Sequence, residues 1–201
     1  MKAKVWLACV MAAIAGALAL PCAAQMEAGL ERQVKAAFLY RFVDYVRWPD
    51  GAFPRPDAPL VIGVLGDPVV AAEVHKIVSG RSVHGHPLVV RQVKEGEFSG
   101  LHVLFIAETA NPRLQRVIRS VEGAVLIVTE AEDGLSQGSV INFVVAERRV
   151  RFEVALMPAA ARSLTIASGL LSVAINVRKD SRMHQDRSDL LARFPAPVPT
   201  P

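Results

Sequence analysis

The chain predicts an α/β fold: a mixed, mainly parallel sheet flanked by helices, with a C-terminal antiparallel hairpin. Three observations predict it. Leu60–Leu65, Leu101–Ala107 and Ala124–Val128 are short, continuous apolar runs of the kind that form strands buried on both faces. Helical stretches stand between them, so successive strands are joined by crossovers. Beyond Gly138 the pattern changes to two apolar runs, Ser139–Val145 and Arg149–Val154, joined by only Ala146-Glu147-Arg148, a connection short enough for a hairpin.

Met1–Ala24 reads as a secretory signal peptide. Lys2 and Lys4 precede the uncharged apolar run Val5–Leu20, Pro21 breaks it, and Cys22-Ala23-Ala24 offers small residues for cleavage near Ala24. The alternative is a lipoprotein anchored at Cys22. Cys9 and Cys22 are the only cysteines and both lie in this leader, so the exported domain must be held by its core without disulfides. Apolar residues are 52% of the 201. The net charge of +4 falls further when the leader takes its two lysines away, so the charge gives no sign of nucleic-acid binding. No other stretch is long and apolar enough to span a bilayer, so no stable membrane insertion of the mature chain is expected.

The first helix is expected over Glu27–Arg47. Within it Val34, Phe38, Leu39, Phe42, Val43, Tyr45 and Val46 spread over one broad apolar arc, with Gln33, Tyr40, Asp44 and Arg47 opposite. Trp48-Pro49 closes it, since the residue before a proline is pushed out of the α region. Asp50–Pro59, with Pro54, Pro56 and Pro59, is a loop. Strand Leu60–Leu65 then turns through Gly66-Asp67-Pro68 into a helix over Val69–Val78, with Asp67 as cap and Pro68 in the first helical position. Leu88–Val93 and Leu101–Ala107 are strands. Asn111-Pro112 opens a helix to about Val121, and Ala124–Val128 is the next strand. After the hairpin come a short helix over Met157–Arg162, an extended Leu164–Ile166 and a last helix over Ser168–Val177. The domain is expected to span residues 25–178, followed by a polar, proline-rich tail over 179–201.

Tests for chemistry turn up little. His84-Gly85-His86 could share a metal, but with no cysteine left and no carboxylate near in sequence it reads as a surface turn between helix and strand with two solvated rings. No metal site and no cofactor are predicted. Gly-x-Ser-x-Gly, the dinucleotide fingerprint and the P-loop are absent, and no serine stands out as a nucleophile. Parallel α/β sheets bind ligands beyond the carboxyl ends of their strands, an edge that should carry Asp67, Glu108, Thr129 and Glu130. Those four are the candidate ligand-binding residues.

Val34–Pro49 (VKAAFLYRFVDYVRWP) resembles the opening motif of the YfiR family of exported proteins. The resemblance continues through LVIGVLGD (Leu60–Asp67), GRSVHGHPL (Gly80–Leu88), HVLFIA (His102–Ala107), GSVINFV (Gly138–Val144), RVRFEV (Arg149–Val154) and LTIASGLL (Leu164–Leu171). It implies a periplasmic protein, regulatory and not an enzyme. The best understood type of the family represses a diguanylate cyclase of the inner membrane through that partner's periplasmic sensor domain, so that cyclic di-GMP and biofilm formation fall; such proteins tend to dimerise. Two residues depart from the family pattern: Arg41 stands where a small polar residue is usual, and Ala155 where Asn is frequent. Candidate partner-binding residues are Tyr40, Arg41, Asp44, Arg47 and Trp48, of the types that dominate interfaces. The runner-up reading is a periplasmic small-ligand sensor without a cyclase partner; an enzyme ranks last.

Overall fold

A computed structural model describes residues 20–108 and 113–179, with side chains from residue 26 onward. Residues 1–19, Asn111-Pro112 and the tail from residue 180 lie outside the described residues. The first helix, α1, spans Leu20–Tyr45. It is followed by β1 (Val46–Arg47), β2 (Leu60–Leu65), α2 (Pro68–Val78), β3 (Ser82–Val83), β4 (His86–Gln92), β5 (Val103–Ile106), α3 (Leu114–Ser120) and β6 (Leu126–Thr129). The hairpin β7 (Ile141–Ala146) and β8 (Arg149–Ala155) comes next, then α4 (Leu156–Ala161), β9 (Thr165–Ile166), α5 (Ser168–Leu171) and β10 (Asn176–Arg178).

Eight strands form one sheet in the order β10-β8-β7-β6-β5-β2-β4-β3, and β1 pairs with β9 in a separate two-stranded sheet. From β4 through β2, β5 and β6 to β7 every pair is parallel. The β7–β8 hairpin is antiparallel, with Phe143 opposite Phe152. The expected mixed, mainly parallel sheet with its C-terminal hairpin is therefore what the chain forms.

Alternation along the central strands divides the apolar side chains between two cores. Val103 and Phe105 of β5 and Leu126 and Val128 of β6 face a core with Leu39, Phe42 and Val43 of α1 and Val70 and Val74 of α2. Leu104, Ile106 and Ile127 face the other way, against Leu114, Val117 and Ile118 of α3. This period of two explains why the runs are apolar throughout: each face has its own helical cover. On α1, Phe38 and Phe42 meet Phe152 with centroids 5.4 and 5.0 Å away, and so bind the helix to the hairpin.

Two helix ends and one helix start differ from expectation. Helix α1 ends at Tyr45, and Val46–Arg47 leave it to pair antiparallel with β9. The Tyr45 carbonyl accepts from the Ala167 N–H at 2.8 Å, a strand-like bond in place of a helical one. Among the described residues the helix already runs at Leu20, ahead of the expected Glu27. The last helix stops at Leu171 instead of Val177. The Ile175 N–H donates to the Phe152 carbonyl (3.0 Å), and Asn176–Arg178 adds to the sheet parallel to β8. In both places a distant strand offered backbone partners that outweighed local helical preference.

Candidate functional site

The carboxyl ends of the parallel strands come first, since strand order reverses at β2, which lies between β4 and β5. Asp67 caps α2: its Oδ1 accepts from the N–H groups of Val69 (2.8 Å) and Val70 (3.0 Å). Its Oδ2 takes an ion pair from Arg32 Nε of α1 at 2.9 Å. Burial pushes the Asp67 carboxyl up, but Arg32 and the two N–H groups outweigh it and hold the group below the usual carboxylate range. One turn further along α1, Lys35 forms ion pairs with Glu130 and with Glu31. Burial alone would lower the Lys35 ammonium, and the two carboxylates more than reverse that. Glu130 Oε1 also accepts from the Glu108 N–H at 2.9 Å.

Thr129 is fully buried. Its hydroxyl lies 3.0 Å from Ser139 Oγ and donates to Asn142 Oδ1 at 2.8 Å. The Asn142 side chain also clasps the backbone of Ala131, accepting from its N–H (3.0 Å) and donating to its carbonyl (2.9 Å). Gly134 covers this network closely: a Cβ there would lie 2.3 Å from Thr129 Oγ1 and 2.4 Å from Asn142 Oδ1. Of the four candidate ligand-binding residues, Glu108 and Glu130 line one recess of about 390 Å³, with Glu31, Lys35 and Phe143. Asp67 and Thr129 are engaged elsewhere, in a helix cap and a buried network.

The larger recess, about 450 Å³, lies at the opposite ends of the strands. Arg47, Trp48, Phe53, Arg55, His84 and His86 are among its lining residues. Phe53 is sandwiched between two imidazoles, His86 at 3.7 Å and His102 at 4.3 Å between centroids, both nearly parallel to it. The Trp48 ring stands edge-on to Phe53, and its Nε1 donates to the His102 carbonyl at 3.3 Å. Burial, with His86 nearby, keeps the His102 imidazole below its ordinary range, although the Ala52 carbonyl pulls the other way.

His84 and Gly85 form the turn of the β3–β4 hairpin, both with left-handed backbone (φ 52° and 87°). The expected surface turn is present, but between two strands, and only one ring is exposed. His84 lies against Arg47, whose Nη1 is 3.0 and 3.1 Å from its two ring nitrogens. His86 is half-buried in the aromatic stack instead of solvated. Among the described residues no group of three or more His, Cys, Asp or Glu is placed to hold a metal ion.

The candidate partner-binding residues fall in three environments. Arg41 and Asp44 are on the outer side of α1, with Arg41 68% exposed and the two charges 3.9 Å apart. Arg47 is exposed on β1 and not on the helix, and Trp48 is half-buried at the mouth of the recess. Tyr40 is not on an open polar stripe. It packs against the core and lies beneath the Arg81 guanidinium, 5.2 Å from the ring centroid. Sequence reasoning missed Phe53, His86 and His102 as a group; the prolines around Phe53 were the one local sign of a shaped loop.

A three-layer α/β domain with an ion-paired recess at the carboxyl rim and an aromatic-lined recess at the amino rim is a scaffold suited to binding. The YfiR/HmsC-like family pattern matches residues 32–175, and the chain belongs to that family. The family is one of periplasmic regulators, which supports a regulatory and not a catalytic role. No helix among the described residues is long and apolar enough to cross a membrane. No curated protein matches the chain. Among solved structures, a conserved domain protein from Vibrio cholerae O1 biovar eltor str. N16961 is similar at 13% identity and a TM-score of 0.43. The match covers 59% of this chain and 54% of that one, so this chain spans about half of that protein's length.

Proposed function

We propose that this chain is an exported regulator that inhibits a membrane-bound diguanylate cyclase through the partner's periplasmic sensor domain and so lowers cyclic di-GMP. The observation that carries the reading is the family match over residues 32–175, which takes in all three layers of the domain. In this reading the leader is cleaved near Ala24, the folded part runs over residues 25–178, and the protein works as a homodimer. Arg41, Asp44, Arg47 and Trp48 form the face offered to the partner, with Tyr40, packed beneath Arg81, at its edge. Arg41 and Arg47 supply exposed guanidinium groups there, and Trp48 an aromatic edge.

The test is genetic and then biochemical. Deleting the gene is expected to raise cyclic di-GMP, and deleting the partner cyclase as well is expected to abolish the rise. A double charge reversal, Arg41→Glu with Arg47→Glu, should reproduce the deletion while leaving the melting temperature unchanged. Cyclic di-GMP that stays constant in the deletion strain defeats the proposal.

A second reading, a small-ligand sensor, is favoured by one observation: the recess of about 450 Å³ combines aromatic rings with Arg47, Arg55, His84 and His86. Its chemistry suits a compact anion with an apolar portion. Glu108 and Glu130, at the smaller recess, would serve a cationic ligand instead. Thermal-shift titration of the wild type with small organic anions and with polyamines separates the two recesses.

A further inference from the structure

The loop of residues 49–59 has no helix or strand of its own. Two imidazoles attach it to the sheet. His86 Nδ1 donates to the Ala58 carbonyl at 2.8 Å. His102 is buried at the start of β5, and its bonds define its protonation. Nδ1 accepts from the Val61 backbone N–H at 3.2 Å, so it carries no hydrogen. Nε2 then bears the ring hydrogen and donates to the Ala52 carbonyl, also at 3.2 Å. Phe53 enters from the loop between the two rings. The neutral ring thus satisfies the backbone of β2 on one side and of the loop on the other.

A second proton has no place in this arrangement. It would sit on Nδ1, facing the Val61 N–H donor to donor. It would also put a charge beside a recess lined by Arg47, Arg55, His84 and His86, of which His86 stacks on Phe53 as His102 does. The carboxylates of the loop are Asp50 and Asp57, of which Asp57 pairs with Arg55 at 3.3 Å. Among the described residues His102 makes no ion pair that would welcome a cation. We propose that the loop of residues 49–59 is a flap that protonation of His102 releases, withdrawing Phe53 from between the rings and opening the recess beside Trp48.

Protonation drives release because the open state can hydrate the imidazolium and the closed state cannot. The depressed protonation of His102 in the closed state has the same sign. Acid therefore favours the open flap, through and below the ordinary imidazole range of about pH 6.5. In a periplasmic protein such a flap would answer to external acidity. It does not depend on the identity of any partner.

Trp48 reports the event directly. The chain has two tryptophans, and in a Trp6→Phe background Trp48 is the only one. As pH is lowered, Trp48 emission is expected to shift to the red and its quenching by acrylamide to rise several-fold, while the far-UV circular dichroism stays constant. The midpoint should coincide with the titration of the His102 Cε1–H resonance. His102→Asn keeps an acceptor for the Val61 N–H and cannot take a proton, so it should abolish the transition. Four results would overturn the proposal: a transition that persists in His102→Asn, one that vanishes in His86→Gln or His84→Gln but not in His102→Asn, one that accompanies loss of the circular dichroism signal, or constant Trp48 emission while His102 titrates. If His102→Asn does not fold, the wild-type resonances decide alone: His102 titrating without change at Phe53 and Trp48 defeats it.

Discussion

The two rims of the sheet are built on opposite lines. At the carboxyl rim, where α/β domains usually hold ligands, α1 sends Arg32 and Lys35 onto Asp67 and Glu130. Beneath them Asn142, Thr129 and Ser139 satisfy one another in the dry. At the amino rim the contacts are ring against ring, with a proline-rich loop lying over a recess. The cause is the direction of one helix. Helix α1 starts beside the carboxyl rim, crosses the sheet face on Leu39, Phe42 and Val43, and delivers Trp48-Pro49 to the amino rim. Its basic residues occupy the usual ligand position, and the chain that follows shapes a different one. Fold alone therefore misses the aromatic recess of the amino rim.

By that contrast the carboxyl rim is the stability-bearing end, and its buried network and ion pairs should be the more fragile to substitution. Gly134→Ala is expected to have the largest effect, about 3 kcal/mol, because its methyl group would overlap Thr129 and Asn142 and force the buried network apart; urea midpoints measure it. Lys35→Met should come next, at about 2 kcal/mol by the same measurement, since it removes the cation from the largely buried Glu130. A loss in Gly134→Ala or Lys35→Met below that of Phe53→Ala would reverse the comparison.

At the amino rim Phe53→Ala should cost only about 1 kcal/mol, because the ring is half-buried and one of its two stacking partners, His86, is half-buried as well. It should nevertheless change Trp48 emission, which none of the carboxyl-rim variants should do. The smallest effect belongs to Asp67→Asn, about 0.5 kcal/mol at neutral pH. The variant keeps a capping side chain and loses only an ion pair whose arginine is partly exposed. Its pH dependence has a definite sign. The Asp67 carboxyl is held below its unfolded value, so its contribution is present above about pH 4 and disappears as pH falls through the folded value. Melting curves of wild type and Asp67→Asn should converge there.

What was legible depended on how far apart the interacting residues lie. The buried strands and the Asp67-Pro68 helix start were readable because burial on two faces and capping leave marks within a few residues. The C-terminal hairpin was readable for the same reason. The ends of α1 and of the last helix were not. Val46 and Asn176 sit in plausible helical stretches, and only β9 and β8, far off in sequence, draw them into ladders. The site was hidden likewise. The bonds from His86 to Ala58 and from His102 to Ala52 span 28 and 50 residues. His102 read as one more strand residue and His86 as half of a solvated turn.

Taken alone, the sequence determined the class of the fold, the identity and order of most elements, and membership in a family, because these rest on local periodicity, on capping and on the order of motifs along the chain. Which rim of the sheet is held by ion pairs and which by stacked rings was decided by the tertiary structure. That choice depends on where α1 places Arg32, Lys35 and Trp48 against strands that come later in the chain, and neither hydrophobic period nor spacing records where those side chains land.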